Sequence, residues 1–119
     1  MTRGAITELQ EKLELFCREG FIFDSNFLKE VKRIYSRDVS GSKKQFFELM
    51  VKQLYYVRES KNSVNMNDGN EILKRTGLDF TLYALHLKGK NLNVRLLITF
   101  LSSGTPLFLV AFNEKSGKR

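Results

Sequence analysis

Between Thr81 and Phe100 two alternating apolar stretches face each other across a short polar turn, and only one pairing keeps their apolar side chains together. In the first stretch Thr81, Tyr83, Leu85 and Leu87 share a face; in the second Val94, Leu96, Ile98 and Phe100 do. Pairing Leu87 with Val94 aligns Leu85 with Leu96 and Tyr83 with Ile98, around a two- or four-residue turn at Lys90 and Asn91. A slip of one residue would mix the faces, so an antiparallel hairpin in this register is predicted. The same register sets His86 across from Arg95 on the opposite face, with Cβ atoms about 5 Å apart. Lys88 is the next residue on that face.

A third apolar stretch, residues 107–113, follows turn chemistry at residues 102–106. A three-residue turn at Ser103, Gly104 and Thr105 predicts Phe108, Val110 and Phe112 on the core face. Asn113 would then lie beside Arg95, with Lys115 just beyond. The strands run over about 80–88, 93–101 and 107–113, and His86, Lys88, Arg95 and Lys115 converge at one end of the open face. Lys90, Lys118 and Arg119 are near enough to join them.

The first half of the chain reads as helices. Ile6, Leu9, Leu13, Phe16 and Cys17 recur at spacings of three and four over 6–19, and Gly20 supplies the stop. Cys17, on the apolar side of this pattern, is expected to be a buried core thiol. A second helix starts at the cap cluster Asp24, Ser25 and Asn26, with Phe27, Leu28, Val31, Ile34 and Tyr35 as its stripe. Lys29, Lys32, Arg33 and Arg37 lie largely opposite, as a solvated face. After the break at residues 40–42, a third helix over 43–59 carries Phe46, Phe47, Met50, Leu54 and Val57 as core. Residues 61–70 (KNSVNMNDGN) form a polar loop, and Ile72 and Leu73 a short turn or strand feeding the sheet.

A chain of 119 residues, 42% apolar and with ten Phe and four Tyr, can bury a core without a metal or disulfide. The expectation is one α+β domain over residues 1–119. A helical layer at about 5–60 packs on a twisted antiparallel three- to four-stranded sheet at about 72–115. Cys17 is the only cysteine, so no internal disulfide forms, and no Cys/His cluster offers metal ligands. The N-terminus lacks the charged-then-apolar order of a signal peptide, and no apolar run reaches the roughly 20 residues of a membrane span. A reducing cytoplasm is the expected compartment.

The net charge of +7 is concentrated late in the chain. Residues 81–119 hold Lys88, Lys90, Arg95, Lys115, Lys118 and Arg119 against the single acid Glu114. Clustered bases without carboxylates repel one another and suit an anionic ligand. The alternative is a sheet face dressed with charge for solubility. No paired carboxylates, Ser/His/Asp set or glycine-rich phosphate loop is apparent.

Residues 82–95, LYALHLKGKNLNVR, resemble the "LYELR…KGxNxxxR" strand–turn–strand of RelE/HigB-type bacterial toxins, in particular the phage-derived subgroup. Residues 96–100, LLITF, and 107–119, LFLVAFNEKSGKR, are similar to that subgroup's next two segments. Lys74 loosely matches the lysine of a "K-x-L" motif. The resemblance covers about residues 72–119. It implies a RelE-like sheet packed on helices and metal-independent endoribonuclease activity that cleaves mRNA, usually on the ribosome. It also implies inhibition by a cognate antitoxin, of helix-turn-helix type, and no cofactor. By position Arg95 matches the family's strand arginine and Lys115 its C-terminal base, while His86 stands where the motif has arginine. Ala84 stands where it has glutamate, and residues 20–23 are the candidate for the family's first strand. Lys74, Arg75, Lys88, Lys90, Lys118 and Arg119 are the expected RNA contacts. Three other readings remain: a relative of similar fold that poisons gyrase, a winged-helix DNA-binding domain, since three helices followed by a hairpin is also that fold's order, and a basic protein-interaction domain.

Overall fold

The computed structural model describes residues 3–36, 43–60, 71–73, 81–89 and 92–113, with side chains from residue 8 onward except in 71–73. Three helices, α1 (Arg3–Arg18), α2 (Ser25–Ser36) and α3 (Lys43–Ser60), pack on a five-stranded sheet. Its strands are β1 (Ile22–Phe23), β2 (Glu71–Leu73), β3 (Leu82–Gly89), β4 (Leu92–Phe100) and β5 (Pro106–Asn113), in the order β1-β5-β4-β3-β2. The protein is therefore α+β, with a β3–β4–β5 antiparallel meander as expected. The short β2 extends the meander antiparallel, at the point where Ile72 and Leu73 left a strand open. At the other edge β1 pairs parallel to β5, Ile22 with Leu107 and Phe23 with Phe108, so the sheet is mixed rather than purely antiparallel.

The end of α1 is built by its sequence. Gly20 holds φ at +107°. Its N–H bonds to Cys17 O and the N–H of Phe21 to Phe16 O, each at 3.0 Å. This is a Schellman closure, which needs a residue tolerant of positive φ just past the helix. The apolar contact that accompanies such a closure is the Phe16–Phe21 ring pair, 5.0 Å between centroids. From there the chain enters β1 and then α2. Asp24 caps α2 by accepting from the Asn26 N–H through Oδ2 (2.9 Å), while its own N–H donates to Phe108 O on β5 (2.9 Å).

One core cluster joins Leu9, Leu13 and Phe16 of α1, Phe27 and Val31 of α2, and Phe46, Met50 and Leu54 of α3 to the inner sheet face. That face presents Leu85, Leu87, Val94, Leu96, Ile98 and Phe108, each fully buried. Phe21, Phe23, Phe27 and Phe108 stack within it at centroid distances of 5.1–6.2 Å. Cys17 departs from expectation. It is exposed, flanking the Leu9–Leu13–Phe16 stripe, and it lines a groove between α1 and α2 with Leu13, Leu28 and Lys32. Lys29, Lys32 and Arg33 are solvent-facing as expected, with Arg33 paired to Glu30.

Candidate nucleic-acid interface on the open sheet face

The β3–β4 register is the expected one, residue for residue: Leu87 with Val94, Leu85 with Leu96, Tyr83 with Ile98, and His86 with Arg95. Two turns of alternation on each strand leave no other arrangement that buries both apolar sets. His86 and Arg95 consequently share the face turned away from the helices, and Lys88 lies across from Asn93 one row further along.

The β4–β5 register is not the expected one. Leu97 pairs with Val110 but Ile98 pairs with Phe108, so Leu109 is an extra residue in β5, a β-bulge. A bulge reverses the alternation beyond it. Phe108 stays in the core, but Ala111 takes the next inward place, at 1% exposure. Val110 and Phe112, predicted to point inward, are turned to the open face, and Phe112 is 41% exposed. Asn113 moves with them, pairing with Val94 rather than lying beside Arg95. The resulting cross-strand row is His86 on β3, Arg95 on β4 and Phe112 on β5.

Within this row the histidine is oriented. His86 Nε2 lies 2.5 Å from Asn93 Oδ1. An amide oxygen only accepts, so Nε2 is the donor and the neutral ring has its basic nitrogen at Nδ1. Behind the strand, Gln53 of α3 donates from Nε2 to the His86 carbonyl oxygen at 3.2 Å. The helical layer thus holds the backbone of the residue whose ring faces the other way. His86, Arg95 and Asn93 are half-buried while Lys88 and Phe112 are exposed, so the histidine and arginine are less open than expected. Further along the face Leu97 and Val110 are half-buried, and Thr99, buried, donates from Oγ1 to Thr81 O at 2.7 Å.

No Asp or Glu occurs in β3, β4 or β5; the one acid in the five strands is Glu71 of β2, in register with Ala84. Among the described residues no group of three or more His, Cys, Asp or Glu gathers. The arrangement suits an anion. Arginine presents a planar fork matched to phosphate oxygens, and imidazole can move a proton beside it.

Of the residues expected at the site, the structure brings together His86, Lys88 and Arg95. Lys74, Arg75, Lys90, Lys115, Lys118 and Arg119 lie outside the described residues. Two members of the face were not picked out from the sequence. Asn93 was within reach of the alternation that located Arg95, since it lies two residues earlier on the same strand. Phe112 was assigned to the wrong side. Among the described residues no helix is long and apolar enough to cross a membrane. No protein-family model, curated protein or solved structure matches the chain.

Proposed function

We propose that the protein is a cytoplasmic, toxin-type endoribonuclease that cleaves mRNA without a metal, working on the ribosome and held in check by a cognate antitoxin of helix-turn-helix type. The observation that carries this reading is the cross-strand pair of His86 and Arg95, on a three-strand face without a single carboxylate-bearing residue. The resemblance of residues 72–119 to RelE/HigB-type toxins adds the reaction class. In that chemistry the RNA 2′-oxygen attacks the adjacent phosphorus; the new P–O2′ bond forms as the P–O5′ bond breaks. The proton leaves the 2′-hydroxyl and one is delivered to the departing 5′-oxygen, giving a 2′,3′-cyclic phosphate and a 5′-hydroxyl end. His86 is suited to the proton transfers, and Arg95 to the negative charge that builds on the phosphoryl oxygens. Lys88 and, from the sequence, Lys115 and its basic neighbours supply further cationic contacts.

The winged-helix reading fits less well. A wing is a hairpin beside a groove-reading helix, whereas here α3 packs on β3 and buries Phe46, Met50, Gln53, Leu54 and Val57. The test is induced expression in a bacterium with transcript ends mapped, for the wild type and for Arg95→Ala. The expected result is growth arrest with new 5′-hydroxyl ends for the wild type only. In single-turnover cleavage of ribosome-bound message, the variant should be slower by about 100-fold or more. Intact transcripts on wild-type expression, or an Arg95→Ala protein that cuts at the wild-type rate, would overturn the assignment.

A further inference from the structure

We propose that Phe112 is a base-stacking platform, on which a nucleotide base of single-stranded RNA lies while the adjoining phosphate meets Arg95. The proposal rests on the reading of this face as an RNA site and adds to it a residue that recognises the base.

Three observations converge on Phe112. It is the only described phenylalanine in the exposed class; Phe16, Phe21, Phe23, Phe27, Phe46 and Phe108 are all buried, and Phe47 and Phe100 pack against the core. Burying a phenylalanine side chain is strongly favourable, so one left 41% exposed on the face opposite the aromatic core stands out. The second observation is the cause of its exposure. Were Leu109 paired as a regular strand residue, alternation from Phe108 would carry Phe112 into the core; the bulge at Leu109 aims it outward. Bulges recur beside functional sites because they re-aim side chains in this way. The third is its neighbour. Phe112 is the register partner of Arg95, one inter-strand step of about 4.8 Å away. A nucleotide presents its charged phosphate and its flat base within a few such ångströms, and a row of cation then aromatic answers that spacing. Val110 and Leu97, half-buried in the next row, give the ring an apolar flank.

Stacking reads a π-face that every base has, so the contact is tolerant of sequence and independent of charge. Phosphate contacts, by contrast, release counterions and fade with salt. The two can therefore be separated on one protein. The probe is a fluorescein-labelled 2′-deoxy oligonucleotide, which cannot be cleaved through a 2′-hydroxyl. A second copy carries 2-aminopurine, whose emission is quenched on stacking. The full chain is compared with Phe112→Ala, Phe112→Tyr and Arg95→Ala, each checked by thermal melt.

The expected result is that Phe112→Ala binds about 10-fold more weakly at unchanged salt slope and loses the 2-aminopurine quench, while Phe112→Tyr retains both. Arg95→Ala should weaken binding and flatten the salt slope by about one. If Phe112→Ala binds and quenches as the wild type does while Arg95→Ala weakens binding, the stacking proposal fails and the RNA face stands. If the wild type does not bind the probe at all, both fail. A wild type that self-associates through Phe112, with an alanine variant monomeric in sedimentation and unaltered in probe binding, would assign the exposed ring to a second copy of the chain and overturn the proposal.

Discussion

His86 donates from Nε2 to Asn93 Oδ1 on the neighbouring strand, diagonally past its own register partner Arg95. The bond fixes both the tautomer and the tilt of the ring, so on the proposed ribonuclease reading Asn93 positions the group that transfers the proton. Asn93→Ala should lower kcat by about 10-fold while leaving KM for RNA within about two-fold, since an unheld ring spends less time in the productive orientation. Steady-state cleavage kinetics separate the two constants. A rise in KM alone would make Asn93 a binding residue instead.

Deleting Leu109 removes the bulge yet leaves Val110, Ala111 and Phe112 opposite Leu97, Leu96 and Arg95, now in regular alternation with Phe108. Ala111 keeps its inward place and Phe112 its outward one. With the core contacts preserved, a change of only about 1 kcal/mol is expected in urea denaturation. A loss above about 3 kcal/mol would show that the packing of β5 depends on the extra residue itself.

At the end of α1, Gly20 holds a φ of +107°, although no atom would touch an added Cβ within 4 Å. The cost of Gly20→Ala is thus backbone strain alone, about 1–2 kcal/mol. A chemical melt reads it directly. An alanine variant of unchanged stability would mean that the Schellman closure contributes little to docking α1.

The Cys17 thiol is pushed above the usual thiol range, first by partial burial within an otherwise exposed residue and then by the negative charge of Glu14. Raising a thiol's pKa removes thiolate, the reactive form, at neutral pH. Iodoacetamide should therefore label Cys17 more slowly than free cysteine near pH 7, with a rate that climbs as pH rises. Glu14→Gln should raise the rate at neutral pH. Faster labelling than free cysteine would contradict the stated environment.

What the sequence disclosed follows from how redundantly each feature is written. The β3–β4 pairing was legible because Tyr83, Leu85 and Leu87 and then Val94, Leu96 and Ile98 alternate with other residues, and one offset satisfies both. In β5 the run LFLVAF is apolar at every position, so it has no period from which to read parity. An inserted residue is invisible in such a run, and Phe112 was misplaced with it. For Cys17 the neighbouring Phe16 was enough to mislead, since adjacent residues on a helix stand about 100° apart and only one need face the core. Two-residue β1 is too short to carry a pattern. Its parallel partner lies far along the chain.

That last pairing has a consequence for the order in which the molecule is made. Ile22 meets Leu107, and the Asp24 amide meets Phe108 O, across more than eighty intervening residues. At a synthesis rate of about 5–20 residues per second, roughly 4–17 s separates the appearance of Phe23 from that of Phe108. During that interval α2 has no β5 to dock on, and Phe21, Phe23 and Phe27 lack the ring of Phe108 that completes their stack. Closing so long a loop is a late event in folding, and the aromatic core is shut from the C-terminal side. A nascent chain stalled before Pro106 would carry its N-terminal phenylalanines exposed to the crowded exit of the ribosome, as a substrate for chaperones.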